Sequence, residues 1–295
     1  MRPTGTYPML YAFFASDGAL DRRALERQVE ASIASGASGI AVLGLGTEAG
    51  KLATAEKRQL VDWTIEAVRG RVPVAVTVGE PALPDMITMA RSARAAGAAW
   101  LILQPPRPPI ASTELLRYFG AAAESVDCPV GIQNAPEFLG VGLSPAELVA
   151  LNRAHANVEI VKAEASALSV AGLIDTLEGR MAVFNGRAGL ELTDNFRAGV
   201  DGMIPGTESI DLQVGVERAM RSGDEAAAES LYRRNLPFLV FAMQGIETFV
   251  LYGKLLAALR LGLEPSTQRI PSAQPTPRGE AWVRRFAGEL GPLPA

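Results

Sequence analysis

The chain has 295 residues, 48% of them hydrophobic, which is enough for one large core or a barrel with an appended segment. Its formal net charge of −4 gives no electrostatic reason to expect binding to nucleic acid or an anionic membrane surface. No apolar run approaches the length of about 20 residues that spans a bilayer, and the single cysteine, Cys128, fits a reducing cytoplasm.

Short apolar segments typical of buried strands recur along the first two-thirds of the chain. The predicted strands are Thr6–Leu10, Gly39–Leu43, Pro73–Val78, Trp100–Leu103, Val130–Gln133, Glu159–Lys162, Ala182–Asn185 and Gly202–Pro205. Amphipathic segments between them predict helices, among them Asp21–Ser35, Ala53–Arg69, Ser112–Val126 and Ser144–His155. Eight alternating units favour an α/β fold of the closed (β/α)₈ TIM barrel type over an open doubly wound sheet.

The pattern changes after about Asp224, where no further strand signal occurs. Helices are predicted at Ala226–Arg234, Leu236–Leu263 and Pro277–Leu290. We therefore expect residues 1–223 to form the barrel that carries the active site. Residues 224–295 are expected to form a helical appendage packed on it.

Lys162 ends a buried apolar strand, although only four of the 28 basic residues are lysines. Burial disfavours charge, so such a lysine can present a free amine that attacks a ketone to form a Schiff base, as arginine cannot. Strand alternation places Glu164 on the same side, about 6–7 Å away along the strand, where a carboxylate can serve as acid or base. A lysine that reaches solvent or only pairs with Glu164 is an equally open interpretation.

The loop Gly44–Glu48 follows the second predicted strand, at the end where barrels of this type bind their substrates. Gly46 lets backbone N–H groups approach an anion closely, and Thr47 adds a hydroxyl donor. A substrate carboxylate is the predicted ligand. A tight turn capped by Thr47 would explain the same residues.

Further polar groups follow the fifth and seventh predicted strands. Gln133 and Asn134 place two amides at one strand end, and Gly186 and Arg187 follow the other. Each pair by itself is weak evidence for a binding site. Together with a lysine, a carboxylate and an anion-binding loop at one barrel mouth, they are hard to explain by packing.

Conventional zinc chemistry is unavailable within one chain, because the sequence has one histidine, His155, and one cysteine. A serine triad would depend on His155 alone, and no nucleotide-binding glycine motif follows a strand. The sequence therefore predicts no metal and no cofactor.

From Gly5 to about residue 290 the chain resembles the dihydrodipicolinate synthase / N-acetylneuraminate lyase family of class I aldolases and dehydratases. The resemblance rests on Gly5 with Asp17-Gly18, the loop Gly44–Glu48, Gln133–Pro136 in place of the family Y-N-x-P, Lys162 and Gly186. It implies a (β/α)₈ barrel with a helical extension, usually a homotetramer. It also implies a lysine Schiff base with a 2-oxo acid whose carboxylate lies in the loop after strand two, and Ile204 packed beside the imine.

Departures from the family pattern indicate which branch of the family the chain resembles. The family loop G-T-T-G-E lacks both threonines here, and Thr47 is shifted by one position. The family tyrosine that transfers protons is Gln133, and a second tyrosine aligns with Arg107 or Pro106. This pattern resembles the L-2-keto-3-deoxyarabonate dehydratase branch, which implies that Glu164 is the acid/base.

The predicted function is therefore a metal-independent, cytoplasmic class I lyase acting on a small 2-oxo acid, foremost as a 2-keto-3-deoxy sugar acid dehydratase. Gln133 would bind the substrate, and Arg107 or Arg187 could bind a distal acid group. A pyruvate-dependent aldolase or a dihydrodipicolinate synthase-like condensing enzyme is the alternative within the family. A catalytically impaired barrel that binds a 2-oxo acid is the alternative of another class.

Overall fold

Eight parallel strands form the centre of the computed structural model, which describes residues 2–266 and 268–294. The strands are β1 Gly5–Thr6, β2 Ile40–Val42, β3 Val74–Val78, β4 Trp100–Leu103, β5 Val130–Asn134, β6 Val158–Ala163, β7 Ala182–Asn185 and β8 Gly202–Met203. Consecutive strands from β2 to β8 pair with one another, and β8 also pairs with β1. A parallel bridge between Met9 and Ala41, with the Leu10 N–H donating to the Ala41 carbonyl at 2.9 Å, joins the segment after β1 to β2. The sheet is thus closed, and the predicted TIM barrel is confirmed.

Twelve α-helices surround and extend this sheet within the described residues. They are α1 Arg22–Ala34, α2 Thr54–Val68, α3 Leu83–Ala96, α4 Ser112–Glu124, α5 Pro136–Leu139, α6 Pro145–Ala154, α7 Ala167–Leu177, α8 Leu192–Ala198, α9 Ile210–Arg221, α10 Glu225–Ala242, α11 Ile246–Leu261 and α12 Pro277–Leu290. Single 3₁₀ turns cover Ala49–Lys51 and Arg187–Gly189. None of the described helices is long and apolar enough to cross a membrane.

The predicted helix break near residue 235 is wrong. Pro237 lies inside α10, and the break between α10 and α11 falls at Met243–Gly245 instead. Proline removes one helical hydrogen bond and crowds the preceding turn. Here burial of Phe238 and Leu239 against the barrel offsets that cost.

Two apolar layers fix which strand residues face the barrel axis. Ile160 of β6 packs inside the barrel with Tyr7, Trp100 and Phe184. Val161, the next residue, packs outward in the core shared with the helices. Since side chains alternate along a strand, Lys162 follows Ile160 on the inner face, above this apolar plug.

The C-terminal helices pack on the barrel through a second apolar core that includes Tyr11, Phe238 and Phe249. Arg260 of α11 is buried there and forms a bidentate ion pair with Asp211 at 2.8 and 2.9 Å. Its Nη1 also donates to the Glu208 carbonyl at 2.8 Å. These contacts hold α11 across the end of the barrel at which the strands point their carboxyl termini.

Candidate active site

A small cavity lies at the carboxyl ends of the strands. It is lined by residues from the barrel, the βα loops and the C-terminal helices: Met9, Leu45, Gly46, Phe138, Lys162, Glu164, Arg187, Ala188, Ile204, Met243, Ile246 and Phe249. Lys162, Glu164 and Arg187 are the titratable side chains among these described lining residues. Five of the residues predicted for the site therefore line one cavity: Gly46, Lys162, Glu164, Arg187 and Ile204.

The Lys162 amine donates a hydrogen bond to the carboxylate of Glu164. Both side chains are largely buried, with Lys162 3% and Glu164 7% exposed. The second carboxylate oxygen of Glu164 accepts the backbone N–H of Arg187 at 3.1 Å. The carboxylate is thus oriented from both sides and lies within proton-transfer distance of the amine.

Gly186 allows this close approach. A Cβ at Gly186 would lie 2.8 Å from the Glu164 carboxylate, well inside van der Waals contact. A side chain at this position would displace the Glu164 carboxylate, so glycine preserves the position that the carboxylate occupies.

Gln133 is paired with Lys162 in the register of β5 and β6 and is 1% exposed. Its Oε1 accepts a hydrogen bond from Nε2 of Gln104 at 3.3 Å. Its Nε2 has no partner among the described residues. Gln133 is not among the residues that line the cavity, so its position there is below the cavity wall. A group that accepted from this buried donor would remove its desolvation cost. Gln104, at the end of β4, was not predicted; its polar side chain directly after an apolar strand was the available signal.

The loop after β2 presents backbone donors. The Thr47 and Glu48 N–H groups are used in the turn, donating to the carbonyls of Gly44 and Leu45 at 3.1 and 3.0 Å. Within the described residues, the N–H groups of Leu45 and Gly46 have no such partner. Successive free N–H groups of this kind form an anion-binding concavity.

Thr47 does not line the cavity. Its hydroxyl donates to the Leu10 carbonyl at 2.6 Å, and the side chain is 1% exposed. A hydroxyl has one proton to donate. Thr47 therefore ties the loop to the segment after β1 and leaves the free backbone N–H groups as the donors for an anion.

Asn134 also has a structural contact. Its amide nitrogen donates to the Leu143 carbonyl at 2.9 Å, and its oxygen accepts the Leu143 N–H at 2.8 Å. The paired bonds close the loop that carries α5, and Phe138 of α5 lines the cavity. Asn134 is thus placed to shape the site through this loop.

The two arginines lie in different places. Arg187 lines the cavity, with Nη1 3.2 Å from Glu191 and Nη2 3.8 Å from Glu137. Arg107 is exposed, lines a larger cleft that adjoins the cavity at Leu45 and Ile246, and donates to the Phe138 carbonyl at 3.5 Å. Of the two, Arg187 is the one whose side chain lines the cavity together with Lys162.

The apolar wall of the cavity was missed at the sequence level. Leu45 comes from the loop after β2 and Phe138 from the short helix α5, whereas Met243, Ile246 and Phe249 come from the joint of α10 and α11. No strand-end pattern marks the last three residues, because they reach the site only after the C-terminal helices have packed on the barrel.

Behind the anion loop lies a buried acid. The Tyr11 hydroxyl donates to the Glu208 carboxylate at 2.8 Å, and neither side chain lines the cavity. Burial raises the pKa of Glu208 to about 7, opposed by the Tyr11 hydrogen bond. Burial also raises the pKa of Tyr11, and the charge of Glu208 adds to that effect.

No three His, Cys, Asp or Glu side chains come together as metal ligands within residues 2–266 and 268–294. The cavity instead combines an amine, a carboxylate and free amide donors. These are the groups needed to form an imine with a ketone and to move protons beside it.

Comparison with known proteins agrees with this arrangement. Residues 2–274 match the Dihydrodipicolinate synthetase family. YjhH of Escherichia coli K12, described by name as a 2-dehydro-3-deoxy-D-pentonate aldolase, is 29% identical over 79% of both chains. YagE of the same organism, described as a 2-dehydro-3-deoxy-D-gluconate aldolase, is 28% identical over 92% of this chain and 91% of its own.

Solved structures give the same result. The structure of YagE in complex with pyruvate has a TM-score of 0.90 at 26% identity, covering 97% of this chain and 98% of YagE. A Pseudomonas aeruginosa structure assigned to the dihydrodipicolinate synthetases has a TM-score of 0.91 at 27% identity, covering 98% of this chain and all of that one. The chain therefore belongs to the dihydrodipicolinate synthetase family.

Proposed function

We propose that the protein is a class I lyase that forms a Schiff base between Lys162 and a 2-oxo acid. The observation that carries this proposal is the contact of the buried Lys162 amine with the Glu164 carboxylate inside the cavity. Glu164 can accept a proton from the ammonium, which frees the amine to attack C2. Glu164 returns this proton to the hydroxyl of the resulting carbinolamine, which leaves as water to give the iminium.

The iminium withdraws electrons from C3, so a C3 proton can leave as an enamine forms. Glu164 is the carboxylate among the described lining residues and is the proposed acceptor of that proton. The enamine then expels the C4 hydroxyl, which takes the proton from Glu164 and leaves as water. Hydrolysis of the imine returns the free amine and the dehydrated 2-oxo acid.

The proposed substrate class is a 2-keto-3-deoxy sugar acid. Support comes from the free N–H of Gly46 and the unpartnered Nε2 of Gln133, which can bind the carboxylate and a neighbouring oxygen. Arg187 is the proposed contact for the distal end of the substrate.

Aldol cleavage is the second candidate. Similarity to YjhH and YagE, both named as aldolases of 2-dehydro-3-deoxy sugar acids, favours it. In that reaction a base removes the proton of the C4 hydroxyl, the C3–C4 bond breaks, and an aldehyde leaves the pyruvate enamine. Glu164 would take the hydroxyl proton in this case.

The assembly and compartment belong to the same proposal. We expect a cytoplasmic homotetramer, in which residues 1–223 form the barrel and residues 224–295 complete one wall of each site. Support comes from Met243, Ile246 and Phe249 at the cavity. Leu168, 84% exposed, is one apolar side chain that an oligomer would cover.

Borohydride trapping tests the imine. Borohydride with pyruvate or a 2-keto-3-deoxy acid should add one reduced ligand per chain, on the peptide that contains Lys162. Lys162→Arg should abolish the adduct, because a guanidinium stays protonated. Product analysis with a panel of 2-oxo acids then separates dehydration from cleavage. Labelling on Lys254, or none with any 2-oxo acid tried, would reject the proposal.

A further inference from the structure

A second buried lysine lies behind the anion loop. Lys254 of α11 is 1% exposed, and its amine donates to one oxygen of the Glu48 carboxylate. Lys51 donates to the other oxygen of Glu48. Two cations therefore share one carboxylate that is itself only 6% exposed, and the cluster carries a net positive charge.

Burying such a cluster costs free energy unless the charged groups are held in well-formed ion pairs and hydrogen bonds. Burial lowers the pKa of Lys254, and the charge of Glu48 opposes this effect. The Lys254 amine also lies 5.1 Å from the centre of the Phe14 ring, a cation–π contact. Removing one partner of a buried pair leaves the other uncompensated, so each of these groups constrains the others.

Glu48 transmits this constraint to the site. It ends the loop after β2 and has a φ of 58°, in the left-handed region that is unfavourable for a glutamate. Its own N–H donates to the Leu45 carbonyl at 3.0 Å, which closes the turn that exposes the N–H of Gly46. The ion pair with Lys254 thus ties α11, 206 residues away in sequence, to the proposed carboxylate-binding turn.

We propose that Lys254 is a positioning residue that sets the affinity for the 2-oxo acid carboxylate, by holding Glu48 and adding positive charge behind the turn. The inference rests on the proposed imine at Lys162, since it assigns the carboxylate of that same ligand. Lys254 does not line the cavity that holds Lys162. Its effect should therefore appear in binding and leave the chemical step largely unchanged.

The test is the pyruvate dependence of borohydride trapping in Lys254→Met. The pyruvate concentration for half-maximal labelling of Lys162 should rise by about tenfold or more, the usual effect of losing a charge-assisted hydrogen bond. Labelling at saturating pyruvate should stay complete, and turnover at saturating substrate should change by less than about threefold. Lys254→Arg, which keeps the charge and donors, should restore part of the affinity.

Two further variants make the result decisive. Lys254→Met with Glu48→Gln removes both buried charges, so it should fold if the single variant does not, and its affinity should remain low. Lys57→Met removes a lysine paired with Glu80 at 2.6 Å, outside the loop, and should leave half-saturation within about twofold of wild type.

Unchanged half-saturation in a folded Lys254 variant would overturn the inference, as would an equal loss in Lys57→Met. Failure of the wild-type protein to label at Lys162 would instead reject the proposed function itself.

Discussion

At the level of single residues, Lys162 and Glu164 lie where neither charge is well hydrated. Taking two ions out of water costs several kcal/mol each, and their attraction commonly does no more than offset that cost. An apolar pair of similar volume would pack as well on the barrel axis. A buried pair on the wall of a cavity is therefore better explained by chemistry than by stability.

Glu164→Gln tests the acid/base role. The glutamine side chain has nearly the shape of the glutamate and can still contact Lys162, but its amide cannot accept a proton as the carboxylate does. We expect turnover to fall by about 10²–10⁴-fold, the usual value of general acid–base help, while imine trapping at Lys162 persists. Gln133→Ala is the comparison and should mainly weaken substrate binding. Near-normal turnover of Glu164→Gln would move proton transfer to water or another group.

Glu208 makes a pH-dependent contribution to stability. Its pKa rises from 4.5 to about 7 on burial, so the folded protein holds a proton there that the unfolded chain has lost. The free energy of unfolding should therefore fall as the pH rises between these two values, by about 3 kcal/mol in total. The glutamine in Glu208→Gln cannot ionise. As the pH rises from about 5 to about 8, the free energy of unfolding of this variant should therefore increase by about that amount relative to the wild type.

Urea unfolding at the two pH values measures this difference. Glu114→Gln, at an exposed carboxylate, is the matched control and should show no such gain. An equal stability difference between Glu208→Gln and wild type at both pH values would contradict the assignment.

At the level of elements, the turn after β7 is held in an unusual backbone shape. Arg187 and Ala188 have φ values of 48° and 57°, in the left-handed region. Such residues cost about 1–3 kcal/mol each when the surroundings enforce them. The turn points the Arg187 N–H at Glu164 and brings Gly186 against the same carboxylate. The strained turn thus orients the proposed acid/base.

Gly186→Ala should therefore displace the Glu164 carboxylate. We expect turnover to fall by about 10²-fold, since a displacement of about 1 Å at a catalytic group can cost that much. Gly172→Ala, in helix α7, is the control, because a Cβ there meets nothing within 4 Å. Steady-state kinetics with trapping at Lys162 would compare them, and full turnover in Gly186→Ala would show that the site tolerates the shift.

The joint between α10 and α11 shows how an element can differ from its local pattern. The sequence pattern predicts a helix break near residue 235, yet α10 continues past Pro237 to Ala242. The later break places Ile246 in the first turn of α11, over the cavity. Packing on the barrel, rather than local propensity, decides where this helix stops.

At the level of the whole molecule, the barrel brings an amine and a carboxylate together without a cluster of metal ligands in the described residues. An iminium draws electrons from C3, the task that a divalent ion performs in metal-dependent aldol chemistry. Turnover should therefore survive dialysis against EDTA. Loss of activity that a divalent ion restores would show an oxygen-ligand site formed by carboxylates.

Much of the architecture follows from local sequence patterns. Seven of the eight apolar runs coincide with strands β2 to β8, because a buried parallel strand must be apolar on both faces. The first strand is Gly5–Thr6 and overlaps the predicted Thr6–Leu10 only at Thr6. Lys162 and Glu164 were predicted to share a face because side chains alternate along a strand. Ser144 and Glu147 form a capping box at the start of α6, in which the Ser144 N–H donates to the Glu147 carboxylate at 2.7 Å. Each of these features depends on neighbours in sequence.

Other features were decided only when distant segments met. The Thr47 hydroxyl donates a hydrogen bond to the Leu10 carbonyl, and the Gln104 amide donates to the Gln133 side chain. The Lys254 amine donates to the Glu48 carboxylate. The apolar wall of the cavity likewise required α11 to cross the barrel mouth. A local pattern determines which face a residue shows and how buried it is. Which partner it meets depends on closure of the barrel and docking of the C-terminal helices, where buried polar groups must find hydrogen-bonding partners far away in sequence.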